Sequence, residues 1–165
     1  MSRSAAILNA LVDTRNTVAE IQSTDVHGAV LTLRRTADLA ITTAGTTITW
    51  QAEVRGYQIT WATTDITIPA DGWYIISMAW RTSANLSDMY VRLVANGAFV
   101  DAMANVGDVD RATGVATFMR YFAEGDVVQI NVIPSANVNL LAIAEGSTGE
   151  SPILNIVQLS GAVDV

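Results

Sequence analysis

Cysteine is absent from the 165 residues, which excludes disulfides, thiolate metal sites and cysteine nucleophiles. The absence suits a chain folded in a reducing cytoplasm. Lysine is missing as well. All nine basic residues are arginine, set against sixteen acidic ones, and the formal charge of −7 argues against general binding to a phosphate backbone. Arginine makes planar and stacked contacts suited to interfaces, although a GC-rich genome produces the same bias. Histidine occurs once, as His27. A serine-type triad therefore has a single base to draw on, and no Gly-x-Ser-x-Gly elbow supplies its nucleophile. Zinc needs several ligands together, and none cluster. No apolar run approaches the ~18 residues of a membrane helix. The first residues do not read as a signal peptide, because Asn9 and Asp13 interrupt the apolar run from Ala5 to Leu8.

What is present is apolar. Hydrophobic residues make up 50% of the chain and charged ones only 15%, an excess that faces other subunits more readily than lipid. The length predicts one domain that buries about 70% of its unfolded surface without staples.

Residues 4–22 carry the one helical pattern. Ser4 can cap it, and Ile7, Leu11, Thr14, Val18 and Ile21 follow at the spacing of an a/d seam. Leu8 and Val12 widen the apolar face. The pattern predicts an arm over residues 1–27 that self-associates or docks on a partner, with a domain over 28–165; a helix packed on its own domain is the alternative. Gln22 to Gly28 is turn-like and marks the boundary.

Beyond it short β-rich runs follow one another, separated by Gly, Asp, Asn and Ser. They fall near Ala29–Arg34, Leu39–Thr42, Thr46–Trp50, Tyr57–Trp61, Asp65–Ile68, Trp73–Arg81, Met89–Asn96, Ala98–Met103, Gly114–Phe122, Asp126–Ile133, Leu140–Glu145 and Ile153–Ser160. Regular spacing without intervening helices predicts an all-β antiparallel sandwich or barrel. In Asp126–Ile133 the alternation turns Val128, Ile130 and Val132 inward. The stretch Ile66 to Ser77 organises the rest: Pro69 closes one strand, Asp71-Gly72 turns, and an aromatic strand leaves. On that strand Tyr74, Ile76, Met78 and Trp80 share one face and Trp73, Ile75, Ser77 and Ala79 the other. Both faces hold large groups, so the strand is expected to be covered on both sides.

Four segments resemble a known family. Ile68-Pro69-Ala70-Asp71-Gly72-Trp73-Tyr74 resembles the proline–glycine–aromatic turn in the globular head of complement component one-q. Val91-Arg92-Leu93-Val94-Ala95-Asn96-Gly97 is similar to its strand ending in an Asn-Gly hairpin, itself a strong turn signal. Phe122-Ala123-Glu124-Gly125-Asp126-Val127-Val128 looks like its Gly-Asp lead into a core strand, and Leu154 to Gly161 like its closing strand. The likeness spans about residues 29–162. It implies a jelly roll of the tumour-necrosis-factor type with about ten strands, normally a homotrimer and not an enzyme. The segment Leu31 to Ile41, leading to Ile48-Thr49-Trp50, looks more like the opening strands of tailed-bacteriophage versions. Those sit on virions, as capsid decoration or head-fibre proteins and as tail-fibre or baseplate tips.

The resulting expectation is a trimeric virion protein, made in the host cytoplasm, that stabilises the shell by binding the major capsid protein or another virion protein. The alternative is a tail-tip knob for a host receptor or carbohydrate. With about twenty residues ahead of the jelly roll, a short arm suits a cement protein better than a projecting tip. Neither nucleic acid, membrane nor cofactor is expected as a partner. Asp101, Asp108 and Asp110, with Asn105 and Gly107, are weak candidates for calcium ligands, and loop turns explain them as well. Glu145 and Glu150 flank a Gly-Ser-rich loop and read as exposed carboxylates before a glycosidase pair. Tyr74, Ile76, Met78 and Trp80 are placed in the core or on the trimer axis. Ile7, Leu11, Val18 and Ile21 are placed in the arm. Trp50, Trp61, Trp73 and Trp80 fill the core or mark an interface, with a sugar-binding surface beside Met78 or Tyr90 the lesser reading.

Overall fold

In the computed structural model, which describes residues 28–105, 113–142 and 152–161, the chain is an all-β antiparallel sandwich. Its thirteen strands are β1 (Val30–Arg34), β2 (Leu39–Ile41), β3 (Thr46–Thr47), β4 (Ala52–Tyr57), β5 (Thr60–Ala62), β6 (Asp65–Thr67), β7 (Gly72–Arg81), β8 (Met89–Ala95), β9 (Ala98–Asn105), β10 (Thr113–Phe122), β11 (Val127–Pro134), β12 (Val138–Leu140) and β13 (Ile153–Gly161). One sheet runs β10-β7-β13-β1-β4 and the other β5-β6-β11-β8-β9, with β3 added to β11 and a small β12-β2 pair beside them. The arm over residues 1–27, with Ile7, Leu11, Val18 and Ile21, lies outside the described residues.

Period-2 alternation builds the core. β11 buries Val128, Ile130 and Val132 between half-exposed neighbours, and β7 buries Tyr74, Ile76, Met78 and Trp80. Opposed to them are Leu31, Leu33, Leu93, Val91, Phe118, Leu154 and Ile156. The four β7 side chains thus lie in the interior of a single protomer. Tyr74 keeps its hydroxyl satisfied by donating to the Ala70 carbonyl at 2.8 Å, and its ring meets Phe122 edge-on with 6.1 Å between centroids. Burial raises its pKa above the ordinary phenol value. Arg35 is buried too, and it donates to the carbonyls of Ala37, Asp38 and Thr49 and so ties down the turn after β1.

Three turns meet at one end. β6 stops at Thr67, ahead of Pro69, and the reversal delivers Gly72 into β7. Asn96 and Gly97 join β8 to β9 with φ of 50° and 75°, the paired left-handed residues of a tight hairpin. The Asn96 amide donates to Asp126 at 2.7 Å, and Val127 N donates back to its oxygen at 2.9 Å. Asp71 accepts from Glu124 N at 2.7 Å, and Gly125 N donates to the Ile68 carbonyl at 2.9 Å.

Several strand limits differ from those read in the sequence. Tyr57–Trp61 is not one strand. Gln58 takes φ 66° and breaks it, so Ala52–Tyr57 pairs with β1 while Thr60–Ala62 passes to the opposite sheet. Glu53, Arg55 and Gly56 hide β4 from an apolar pattern, as an edge strand needs no apolar alternation. The strand expected near Leu140–Glu145 lies earlier, at Val138–Leu140. Thr46–Trp50 shortens to two residues because Ile48 and Trp50 bond to Ile130 and Thr63 outside a regular ladder.

Gly125 has φ +84°, and no heavy atom lies within 4 Å of where its Cβ would stand. A β-branched side chain there meets backbone strain rather than crowding. Gly125→Val is expected to cost about 1–3 kcal/mol in thermal unfolding. Gly125→Asn should cost less, since asparagine tolerates the left-handed region.

Candidate interaction surface

The antiparallel register lays the outward side chains of the five-stranded sheet in rows. One row reads Met119–Ile75–Val157–Val30–Tyr57, apolar across all five strands. Above it Tyr121 and Trp73 pair, their rings edge-on at 6.0 Å, with Leu159 bulged out beside them. Below it runs a polar row, Thr117–Ser77–Asn155–Thr32–Arg55, in which Thr32 donates to Asn155 at 2.9 Å. The next row is Val115–Ala79–Ile153–Arg34–Ala52. None of these outward residues is acidic.

Met119 is 63% exposed, Val115 57%, Tyr57 50% and Trp73 47%, on a sheet whose other side carries the buried Leu31, Leu33, Tyr74, Ile76, Met78, Leu154 and Ile156. Exposed apolar groups scattered singly are ordinary, but a continuous band across five strands marks an interaction surface. The expectation that β7 is covered on both sides is met on one side only within the protomer.

A second apolar surface lies around the corner. β10 and β9 are the edge strands of the two sheets and lie side by side, joined where Arg120 donates to the Val100 carbonyl at 3.0 Å and Thr117 N to Met103 Sδ at 3.2 Å. This flank exposes Met103, bordered by Val115 and Met119 of the five-stranded face and by Phe99 of the six-stranded one. A ten-residue edge strand with such side chains and little charge is open to pairing or packing by another chain.

The outer face of the six-stranded sheet is different. Its rows read Ala62–Asp65–Gln129–Val94 and Thr47–Asn131–Arg92–Ala102. Gln129 donates to Asp65 at 2.6 Å, and Arg92 stands over the Phe99 ring at 5.6 Å. Hydrogen bonds from Gln129 and Thr64 hold the Asp65 carboxyl below the usual range. This face suits water, with only Tyr90 and Phe99 as large exposed apolar groups among the described residues.

Of the metal candidates, Asp101 lies on β9 and accepts from Ala102 N at 2.8 Å, while Asp108 and Asp110 are outside the described residues, as are His27, Glu145 and Glu150. Among the described residues no group of three or more His, Cys, Asp or Glu is placed to hold an ion. Of the tryptophans, Trp50 and Trp80 are buried, Trp61 is half-buried with its indole donating to Glu53 at 2.9 Å, and Trp73 is on the exposed band. Met78 belongs to the core and takes no part in any surface. Reading the sequence for function had passed over Val115, Met119, Tyr121 and Val157. The signal was there in β10, whose two alternating sets are both largely apolar: Ala116, Phe118 and Phe122 against Val115, Met119 and Tyr121.

No protein-family model matches the chain, and no curated protein matches it. Solved structures do. A crystal structure of murine APRIL shares the fold with a TM-score of 0.58 at 16% identity, covering 79% of this chain and 98% of that one. Eiger TNF from S. frugiperda gives 0.58 at 12% identity over 83% and 94% of the two chains. The globular domain of zebrafish complement 1qA gives 0.57 at 10% identity over 81% and 99%. The jelly-roll fold of the tumour-necrosis-factor and complement one-q type is thereby established.

The two tryptophans on β7 separate the surface from the core. Trp80→Ala is expected to destabilise the protomer by about 3–5 kcal/mol in urea unfolding. Trp73→Ala should change the stability of the dissociated protomer by no more than about 0.5 kcal/mol.

Proposed function

We propose that this chain is a non-enzymatic structural protein that works as a homotrimer and decorates or cements a virion shell. One observation carries the assembly: a single protomer exposes two different apolar surfaces, the five-stranded face and the β9/β10 flank. Like surfaces meeting across a twofold axis would cover only one of them. Flank-to-face contact covers both, and it is heterologous, so it closes into a ring when the rotation fits. A trimer is the closure that the family resemblance implies, and the jelly-roll fold supports it.

The virion role rests on the likeness of Leu31 to Ile41 and Ile48-Thr49-Trp50 to tailed-phage versions, and on the heptad spacing of Ile7, Leu11, Val18 and Ile21. In this reading residues 1–27 are the attachment arm to the major capsid protein or another virion protein, and the jelly roll is the exposed knob. Each such arm side chain contributes about 1.5–3 kcal/mol on burial before ordering costs, so three copies give firm attachment through a small interface. A second reading, a tail-fibre or baseplate tip for a host receptor or glycan, is favoured by Tyr90, Arg92 and Phe99 standing exposed on the otherwise polar sheet face.

Light scattering on the full chain should give the mass of a trimer at micromolar concentration, and Val157→Glu or Met119→Glu should reduce it to the monomer with the β signature intact. A monomeric wild-type chain would sink the assembly. A chain lacking residues 1–25 should remain trimeric but fail to bind undecorated capsids, which the full chain binds and protects against heat. Staining of host cells by the truncated knob, without capsid binding by the full chain, would establish the tail-tip reading instead.

A further inference from the structure

The trimer proposed above brings together two charged residues that the protomer leaves apart. Arg55 ends the polar row at the β4 edge of the five-stranded face, and its exposed guanidinium makes no hydrogen bond or ion pair with any described residue. Tyr57 and Thr32 are its outward neighbours, with Arg34 in the next row and the Glu53 carboxylate lying against Gly56. Asp101 stands on the opposite side of the sandwich. It pairs with the buried Leu93, so it occupies the inward-facing set of β9, yet it sits at the open β9/β10 edge and stays half-exposed. Among the described residues its carboxylate accepts only from the adjacent Ala102 N, at 2.8 Å. Arg120, the basic residue beside it on β10, spends its donor on the Val100 carbonyl and forms no ion pair with it.

Height along the strands decides whether the two can meet. Arg55 shares its row with Thr117, and Thr117 N contacts Met103 Sδ, which brings the Met103 side chain to that level. Asp101 stands two residues from Met103 on the same side of the strand, roughly 7 Å along it. Rotation about an axis running along the strands leaves height unchanged. A neighbour whose β9/β10 flank leans on the β1/β4 end of the face therefore presents Asp101 within one row of Arg55, a gap the long arginine side chain spans.

We propose that Arg55 of one protomer and Asp101 of the next form an ion pair at each junction of the ring. The inference rests on the flank-to-face assembly and gives it a rim of defined polarity. Apolar rows alone permit sliding along the strands, whereas the pair favours registers that keep Asp101 within one row of Arg55. It also assigns Asp101 a partner of its own, in place of the calcium for which it was a weak candidate.

Sedimentation velocity over a dilution series of the full chain tests it, with Arg55→Asp, Asp101→Arg and the double exchange. Each single variant should raise the dissociation constant of the oligomer by at least about tenfold, since it sets like charges face to face. The double exchange should return it to within about threefold of wild type, a non-additivity that only direct contact gives. Thermal melting of the dissociated protomers should be unchanged, which separates the pair from an Asp101 role inside the fold. Singles that associate like wild type, or a double exchange as weak as the sum of both, would overturn the pair while leaving the ring intact. A wild-type chain that never associates would overturn the ring itself.

Discussion

The two-residue period of β7 constrains everything else. Because successive side chains leave on opposite sides, a strand with large apolar groups in both sets cannot satisfy both against one neighbouring sheet. Tyr74, Ile76, Met78 and Trp80 are covered by β8, β11 and their neighbours, and the sandwich closes around them. Trp73, Ile75 and Ala79 are then left outside, and β10 and β13 extend the same condition with Met119, Tyr121 and Val157. No turn chemistry or local propensity removes this second surface. It follows from the register, and only another chain or segment can cover it.

The fold was legible because its signals are local. Alternation marked β7, β8, β11 and β13, the Asn96-Gly97 pair carried the conformation its hairpin needs, and Gly125 took the left-handed backbone expected ahead of the core strand. The misreadings fall where a strand lacks an apolar pattern. β4 escaped notice because an edge strand facing solvent keeps Glu53 and Arg55, and its pairing with β1 is a property of the tertiary structure alone. The break at Gln58 was equally hidden, since a non-glycine residue with positive φ announces nothing in the sequence.

The interaction surface was only half legible. That β7 bears large groups on both sides could be read directly, yet deciding which set entered the core required knowing which sheet lay above it. The rows across the five-stranded face could not be read at all. They join residues as distant as Val30 and Val157, or Tyr57 and Val30, and depend on strand order and on the bulges in β4 and β13. Long-range register is where single-sequence reasoning ends, because a slip of one residue would exchange inner and outer sets.

A cyclic assembly about an axis along the strands would have two unlike ends. The described chain begins at Gly28, whose backbone lies so close to β13 that a Cβ would stand 2.3 Å from the Gln158 carbonyl oxygen. The hydrogen bonds from Ala29 N to the Gln158 side chain and from Gln158 N to the Ala29 carbonyl fix this point beside Trp73 and Leu159. A rotation axis along the strands carries all copies of Gly28 to the same end of the ring, the end crowned by Trp73 and Tyr121. A dimer with its twofold axis across the strands would instead place its two copies of Gly28 at opposite ends.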